Sequence, residues 1–199
     1  NYVNQHLIKR PDEIFFKIEE LAKERKVPIL SPQAGEVLKY LINTKKPKNV
    51  LELGTGLGYS TSWILAGCDS IKITTIERNE KLHNQSKDLV KSYIKDEQFV
   101  EFLKTDCMDY LKNNSLDSFD LFFIDCDKIF YPEVLELLIP LKKQGVSLIF
   151  DNMLWHGRLD PEKYDRPSDK AIQKTWEKIK SLEWERVLFT SGDGLVLIP

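Results

Sequence analysis

The stretch Asn49-Val-Leu-Glu-Leu-Gly-Thr-Gly-Leu-Gly-Tyr-Ser60 constrains this chain more than any other. Val50, Leu51 and Leu53 form a short apolar run of the kind that makes a buried parallel strand, and Gly54, Gly56 and Gly58 break it before an apolar segment at helical spacing. The pattern predicts a strand, a tight glycine loop and a helix. Backbone without Cβ lets a ligand lie against peptide groups, and the new helix offers unpaired N–H groups and the positive end of its dipole. Alternating glycines do not match the G-x-G-x-x-G of dinucleotide binders, and no G-K-[ST] follows as in a phosphate-binding loop. Glu52 lies two residues before Gly54, and Glu77 closes the next apolar run, Ile71–Ile76, about where an acidic strand end meets a ribose hydroxyl. Together these residues point to an adenosine ligand without a pyrophosphate.

An E-x-G-x-G-x-G loop with an acid closing the second strand resembles the class I S-adenosylmethionine-dependent methyltransferases. The rest of the chain is compatible with that architecture. Helical spacing covers about 11–25, and Ser31-Pro32 opens a second helix through Leu41, so residues 1–44 read as an N-terminal helical cap. Strands are expected at 49–53, 71–77, 99–103, 120–125 and 146–150, with helices between them at about 79–94, 106–111 and 134–141. Residues 155–167, rich in charge, Pro and Gly, read as a loop folding over a site, and 153–170 as a lid or acceptor loop. After a helix around 171–179, Trp184–Phe189 and Leu195–Ile198 form a closing hairpin. The expected fold is one α/β domain over 1–199: a doubly wound, mostly parallel, seven-stranded sheet with a C-terminal antiparallel hairpin, Rossmann-like.

Composition excludes little beyond the obvious alternatives. With 42% hydrophobic and 30% charged residues the chain is neither disordered nor membrane-spanning in character, and a net charge of −2 gives no general attraction to polyanions. The three cysteines, Cys68, Cys107 and Cys126, lack metal-ligand spacing and read as reduced thiols of a cytoplasmic protein. The chain begins at Asn1 without methionine, and leading residues are expected before it.

In an open α/β sheet ligands sit beyond the carboxyl ends of the strands, and here those ends carry Gly54, Glu77, Asp106, Asp125 and Asp151-Asn152. Two carboxylates and an amide oxygen make an all-oxygen set suited to Mg²⁺ or a similar ion. The fourth strand ends in Phe123-Ile-Asp-Cys-Asp-Lys128 with Tyr131 beyond, and the fifth in Asp151-Asn-Met-Leu-Trp-His-Gly157. These are similar to the D-A-D-K…Y and D-N-x-L-W-x-G motifs of the cation-dependent O-methyltransferases, the family of catechol and caffeoyl-CoA O-methyltransferases. The resemblance runs from about Ser31 to the end, and Gly192-Asp-Gly-Leu195 is similar to the family's terminal hairpin.

That resemblance implies that Asp125, Asp151 and Asn152 bind Mg²⁺, or another divalent ion such as Mn²⁺ or Ca²⁺, and that Lys128 is the base near the reacting hydroxyl, with Asp125 beside it. It implies that Glu52, Gly54, Gly56, Gly58 and Ser60 cradle the methionine end of S-adenosylmethionine, Glu77 the ribose and Asp106 the adenine, with Asp125 at the junction. Cys126 stands where the family usually has alanine. The ion would lower the pKa of a chelating hydroxyl, and alignment of oxygen, methyl carbon and sulfur would supply much of the remaining rate. The expected reaction is methylation of a small vicinal-diol aromatic, of catechol or caffeoyl type, by a homodimer. One rival is the family's methylation of 5-hydroxyuridine in tRNA, and another is a non-catalytic cofactor-binding protein. Trp155 is a candidate for lining an aromatic pocket, and His156 is the one histidine near the site.

Overall fold

The computed structural model describes residues 2–199; Asn1, the first residue of the expected cap, lies outside them. Seven strands, β1 (Asn49–Leu53), β2 (Ile71–Ile76), β3 (Gln98–Leu103), β4 (Leu121–Ile124), β5 (Ser147–Phe150), β6 (Val187–Phe189) and β7 (Leu195–Ile198), make one sheet of order β3-β2-β1-β4-β5-β7-β6. The pairs among β1 to β5 are parallel, and β7 runs antiparallel between β5 and β6. Successive crossovers from β1 go in opposite directions, first to β2 and later to β4. The crevice between β1 and β4 is therefore the switch point at which ligands bind in such sheets.

The helices are α1 (Glu13–Arg25), α2 (Pro32–Lys45), α3 (Tyr59–Gly67), α4 (Glu80–Lys91), α5 (Cys107–Asn113), α6 (Tyr131–Lys142) and α7 (Pro167–Ser181). Ser31 caps α2 as expected, accepting from Ala34 N–H at 3.2 Å, and α1 begins after an Asp12 cap that accepts from Ile14 N–H at 2.9 Å. Helix α6 starts three residues earlier than apolar spacing alone predicts, because Pro132 falls in its first turn, where a missing N–H is no loss. β6 is shorter than expected, beginning at Val187, and is exposed along the sheet's edge.

Strand alternation assigns the two faces. Val50 points into a core formed with Phe15, Ile18, Leu38, Ile42 and Trp63, whereas Leu51 and Leu53 point into a second core with Phe122, Leu135, Leu138 and Ile172. Each fully buried side chain of this size contributes about 1.5–3 kcal/mol. The same alternation turns Glu52 toward the α3 face, under the glycine loop. No helix among the described residues is long and apolar enough to cross a membrane.

Candidate active site

A cleft of about 780 Å³ opens at the carboxyl ends of β1, β4 and β5, bounded by the glycine loop, Glu77, the 125–128 segment, Asp151-Asn152, Trp155-His156 and the 192–193 turn. A smaller cavity of about 140 Å³ shares the walls formed by Gly54, Glu77 and Asp125 and continues to Asp106 and Cys107. Glu52 lines neither. The other residues expected at the site, Gly54, Gly56, Ser60, Glu77, Asp106, Asp125, Lys128, Asp151 and Asn152, all line one or both cavities, and Gly58 is at the start of α3 behind them.

The glycines are not equivalent. Gly54 has φ +103°, and a Cβ there would stand 2.4 Å from the Asp125 carbonyl oxygen, so the β1 and β4 ends meet only because that atom is missing. Gly56 also has positive φ, +56°, but a Cβ would meet nothing within 4 Å; its open side faces the cleft. Beneath the loop, Glu52 accepts from Ser60 Oγ at 2.5 Å, from Thr75 Oγ1 at 2.6 Å and from Thr61 Oγ1. Burial is the main cause that pushes its carboxyl up to about 7, against the three hydroxyl donors that pull it down. Alternation in β1 directs Glu52 inward, away from both cavities, where it ties α3 to β1 and β2. Glu77 holds the loop from the other side, accepting from Gly56 N–H at 2.9 Å and Asn79 N–H at 2.8 Å. Asp106 caps α5, accepting from Met108 N–H at 2.8 Å, and lies 3.8 Å from Arg78.

Backbone pairing brings the acids of β4 and β5 together, since Asp125 N–H donates to Leu53 at 2.9 Å and Asp151 N–H to Ile124 at 3.0 Å. Asp151 is 2% exposed, and its Oδ1 is buried with no hydrogen-bond partner. Burial first, and the neighbouring Asp125 carboxylate second, push it up to about 8. Lys128 Nζ donates to Asp125 Oδ1 at 2.6 Å, Tyr131 Oη at 2.9 Å and the Cys126 carbonyl at 3.2 Å. The Tyr131 hydroxyl, buried, lies within reach of the Ile124 and Asp151 carbonyls, at 2.9 and 3.0 Å. Cys126 faces Cys107 along the wall of the small cavity, and the contact between the thiols, with burial, pushes the Cys107 thiol up.

Two features of the cleft wall escaped sequence reasoning. Of residues 153–170, Trp155 and His156 line the cleft, and Trp155, Arg158 and Tyr164 are tied to α7 as an anchored strap. Its anchor is Asp169, fully buried, which accepts from Trp155 Nε1 at 2.7 Å, Arg158 Nε at 2.9 Å and Arg166 N–H at 3.1 Å. The Arg158 guanidinium is the first cause that holds its carboxyl down at about 2. The other is the inter-helix connection Val27–Ser31, which lines the cleft opposite Trp155. Pro28 and the Ser31-Pro32 pair mark this connection in the sequence only as punctuation.

The donor set fits a hard divalent ion. Asp151 Oδ1 is a buried oxygen without a partner, Asp125 is adjacent, and Asn152 offers an amide oxygen in the same cleft. Among the described residues no group of three His, Cys, Asp or Glu side chains gathers as a metal site, so the set rests on two carboxylates and an amide.

Comparison with known proteins gives consistent results. A family model described as O-methyltransferase matches residues 13–199. A caffeoyl-CoA O-methyltransferase of Stellaria longipes is 35% identical over 133 residues, 64% of this chain but only 55% of that protein's length. A catechol O-methyltransferase of Niastella koreensis is 27% identical over 178 residues, 87% of this chain and 80% of that protein. The crystal structure of an O-methyltransferase from Bacillus cereus in complex with SAH superposes with a TM-score of 0.81 at 26% identity, covering 98% of this chain and 94% of the other.

Proposed function

The chain belongs to the O-methyltransferase family, and from that premise we propose that it transfers the methyl group of S-adenosylmethionine to a hydroxyl of a small vicinal-diol aromatic, of catechol or caffeoyl type, with a divalent ion held by Asp125, Asp151 and Asn152. The observation that carries the ion is the unpartnered, buried Oδ1 of Asp151 beside a second carboxylate. Such an oxygen is costly to leave bare, and a cation would satisfy it. The acceptor class is supported by the names of the relatives and by Trp155, whose indole at the cleft offers a flat apolar wall.

When bound, the ion would supply Lewis acidity to the acceptor oxygens and S-adenosylmethionine the methyl group. The protein's own residues do the rest. Gly56 leaves room for the cofactor against the loop backbone, and Glu77, held by two N–H groups, presents its remaining lone pairs to a ribose. Lys128 directs its donors at three acceptors, so it works as a fixed ammonium that can turn a donor toward the developing oxyanion. Removal of the hydroxyl proton by Lys128 would first require the loss of one of its own. The Asp169 anchor fixes the Trp155 indole, limiting the acceptor's freedom.

The test is methyl transfer from labelled S-adenosylmethionine to a catechol panel and to bulk tRNA, each with Mg²⁺ and with chelator. Label in a catechol only with Mg²⁺ is expected. Equal turnover in chelator would overturn the metal role, and label in tRNA alone would overturn the acceptor class.

A further inference from the structure

The segment from Asn152 to His156 departs from ordinary backbone geometry. Among the described residues, non-glycine positive φ occurs at Lys26 and Lys46, which close α1 and α2, at Glu183 just beyond α7, and at Asn152 (+58°), Trp155 (+44°) and His156 (+55°). A helix end accounts for the first three. The other three fall within five residues at the rim of the cleft, and left-handed backbone at non-glycine positions persists where surrounding structure enforces it.

Beside the α7 contacts of Trp155 and Met153, one turn supplies the hydrogen bonds to the segment's own N–H groups. Met153 N–H donates to the Gly194 carbonyl at 2.9 Å and Leu154 N–H to the Asp193 carbonyl at 2.8 Å, while His156 N–H donates to Asp193 Oδ1 at 2.6 Å. Asp193 thus grips the segment with both its main chain and its side chain. Its Oδ2 is buried without a hydrogen bond, 3.3 Å from His156 Nδ1. The His156 ring is stacked on Trp155, with centroids 5.4 Å apart. Among the described residues, no hydrogen bond or ion pair joins Asp193 to the glycine loop or to Glu77.

We infer that Asp193 is a positioning residue for the acceptor side of the cleft: its carboxylate holds His156 and the left-handed backbone that sets the Trp155 ring and the Asn152 amide, without acting on the cofactor side. This rests on the proposed function for what the acceptor is, but not for the grip itself. A carboxylate in a Ser-Gly-Asp-Gly turn would ordinarily serve only its own turn. Here it reaches a segment 37 residues away.

The test compares Asp193→Ala with Asp193→Asn, which retains an oxygen to accept the His156 N–H. In Asp193→Ala the KM for catechol with Mg²⁺ is expected to rise about tenfold, with SAH affinity by calorimetry within about twofold of wild type. Amide exchange should accelerate over 152–158 and stay unchanged over 54–60. Asp193→Asn should restore both readouts to within about threefold of wild type. An unchanged KM with unchanged exchange in Asp193→Ala would overturn the inference, as would a loss of SAH affinity equal to the loss for acceptor. Should the wild type methylate no catechol, the proposed function fails and exchange alone decides. Protection lost only over 152–158 upholds the grip, and protection retained there, or lost throughout, overturns it.

Discussion

On the β1–β2 side of the cleft the buried carboxylate Glu52 has three hydroxyl donors and Glu77 has two backbone N–H groups, whereas on the β4–β5 side Asp151 Oδ1 has no partner and three non-glycine residues hold left-handed backbone. The first side is complete in the unliganded protein. The second carries unsatisfied polarity and enforced geometry, held in check by Asp169 and the 191–194 turn. A carboxylate with all its partners and one left bare are therefore different physical states within one cleft. Substitutions should affect them separately.

The largest effect is expected at the seam between the sides. Gly54→Ala would push a Cβ against the Asp125 carbonyl and impose positive φ on alanine, and should cost about 4 kcal/mol or more, read as a large fall in the denaturant midpoint. Equal stability would show that the β1 and β4 ends can part without loss.

Next comes the buried acid of the completed side. The Glu52 carboxyl is raised from 4.5 to about 7 in the folded protein, so between these values the folded state holds more of its proton than the unfolded state does. Its contribution is fully present below about pH 4.5 and is lost as pH rises through about 7, by about 3 kcal/mol in all. Unfolding curves from pH 4.5 to 8 should show this decline in the wild type and a shallower one in Glu52→Gln. Parallel declines would mean that Glu52 is charged throughout.

The unfinished side should respond in activity rather than in stability. Asp151→Ala should lose about 100-fold or more in metal-dependent transfer while keeping SAH affinity within about twofold. Removing a raised acid should not destabilise the fold near neutral pH, and thermal melting checks that. Comparable losses of cofactor and metal function would erase the division between the sides.

Smallest is Gly56→Ala. A Cβ there meets open space, so only the left-handed backbone opposes it, at about 1 kcal/mol. Its footprint should be a loss of SAH affinity of about tenfold with melting nearly unchanged, the reverse of Gly54→Ala.

Much of this was legible in the sequence, because the glycine loop, the acidic strand ends and the apolar runs obey local rules. The seven-stranded, mostly parallel sheet with its C-terminal antiparallel hairpin followed from them. The spacing of Glu52 from Gly54 marks it as part of the loop's pattern, while strand alternation, which the same sequence contains, sends it beneath the loop. Asp169 stands in the first turn of α7; its partners Trp155 and Arg158 lie 14 and 11 residues away, and no periodicity links them. Asp193 sits in a Gly-Asp-Gly turn whose composition explains it fully without any distant contact. What the sequence conceals in each case is a contact between segments that share no repeat and no register.

The insertion of β7 between β5 and β6 also sets an order of events during synthesis. The ribosome releases Asn49 to Leu103 early, so the cofactor-side strands β1, β2 and β3 and their glycine loop can pair while the remainder is still being made. Residues 152–156 emerge before Asp193 and Gly194 exist, and during that interval the rim of the cleft lacks the carbonyls and the carboxylate of that turn. A nascent chain can therefore complete the strands around its glycine loop before the turn that holds the opposite rim exists.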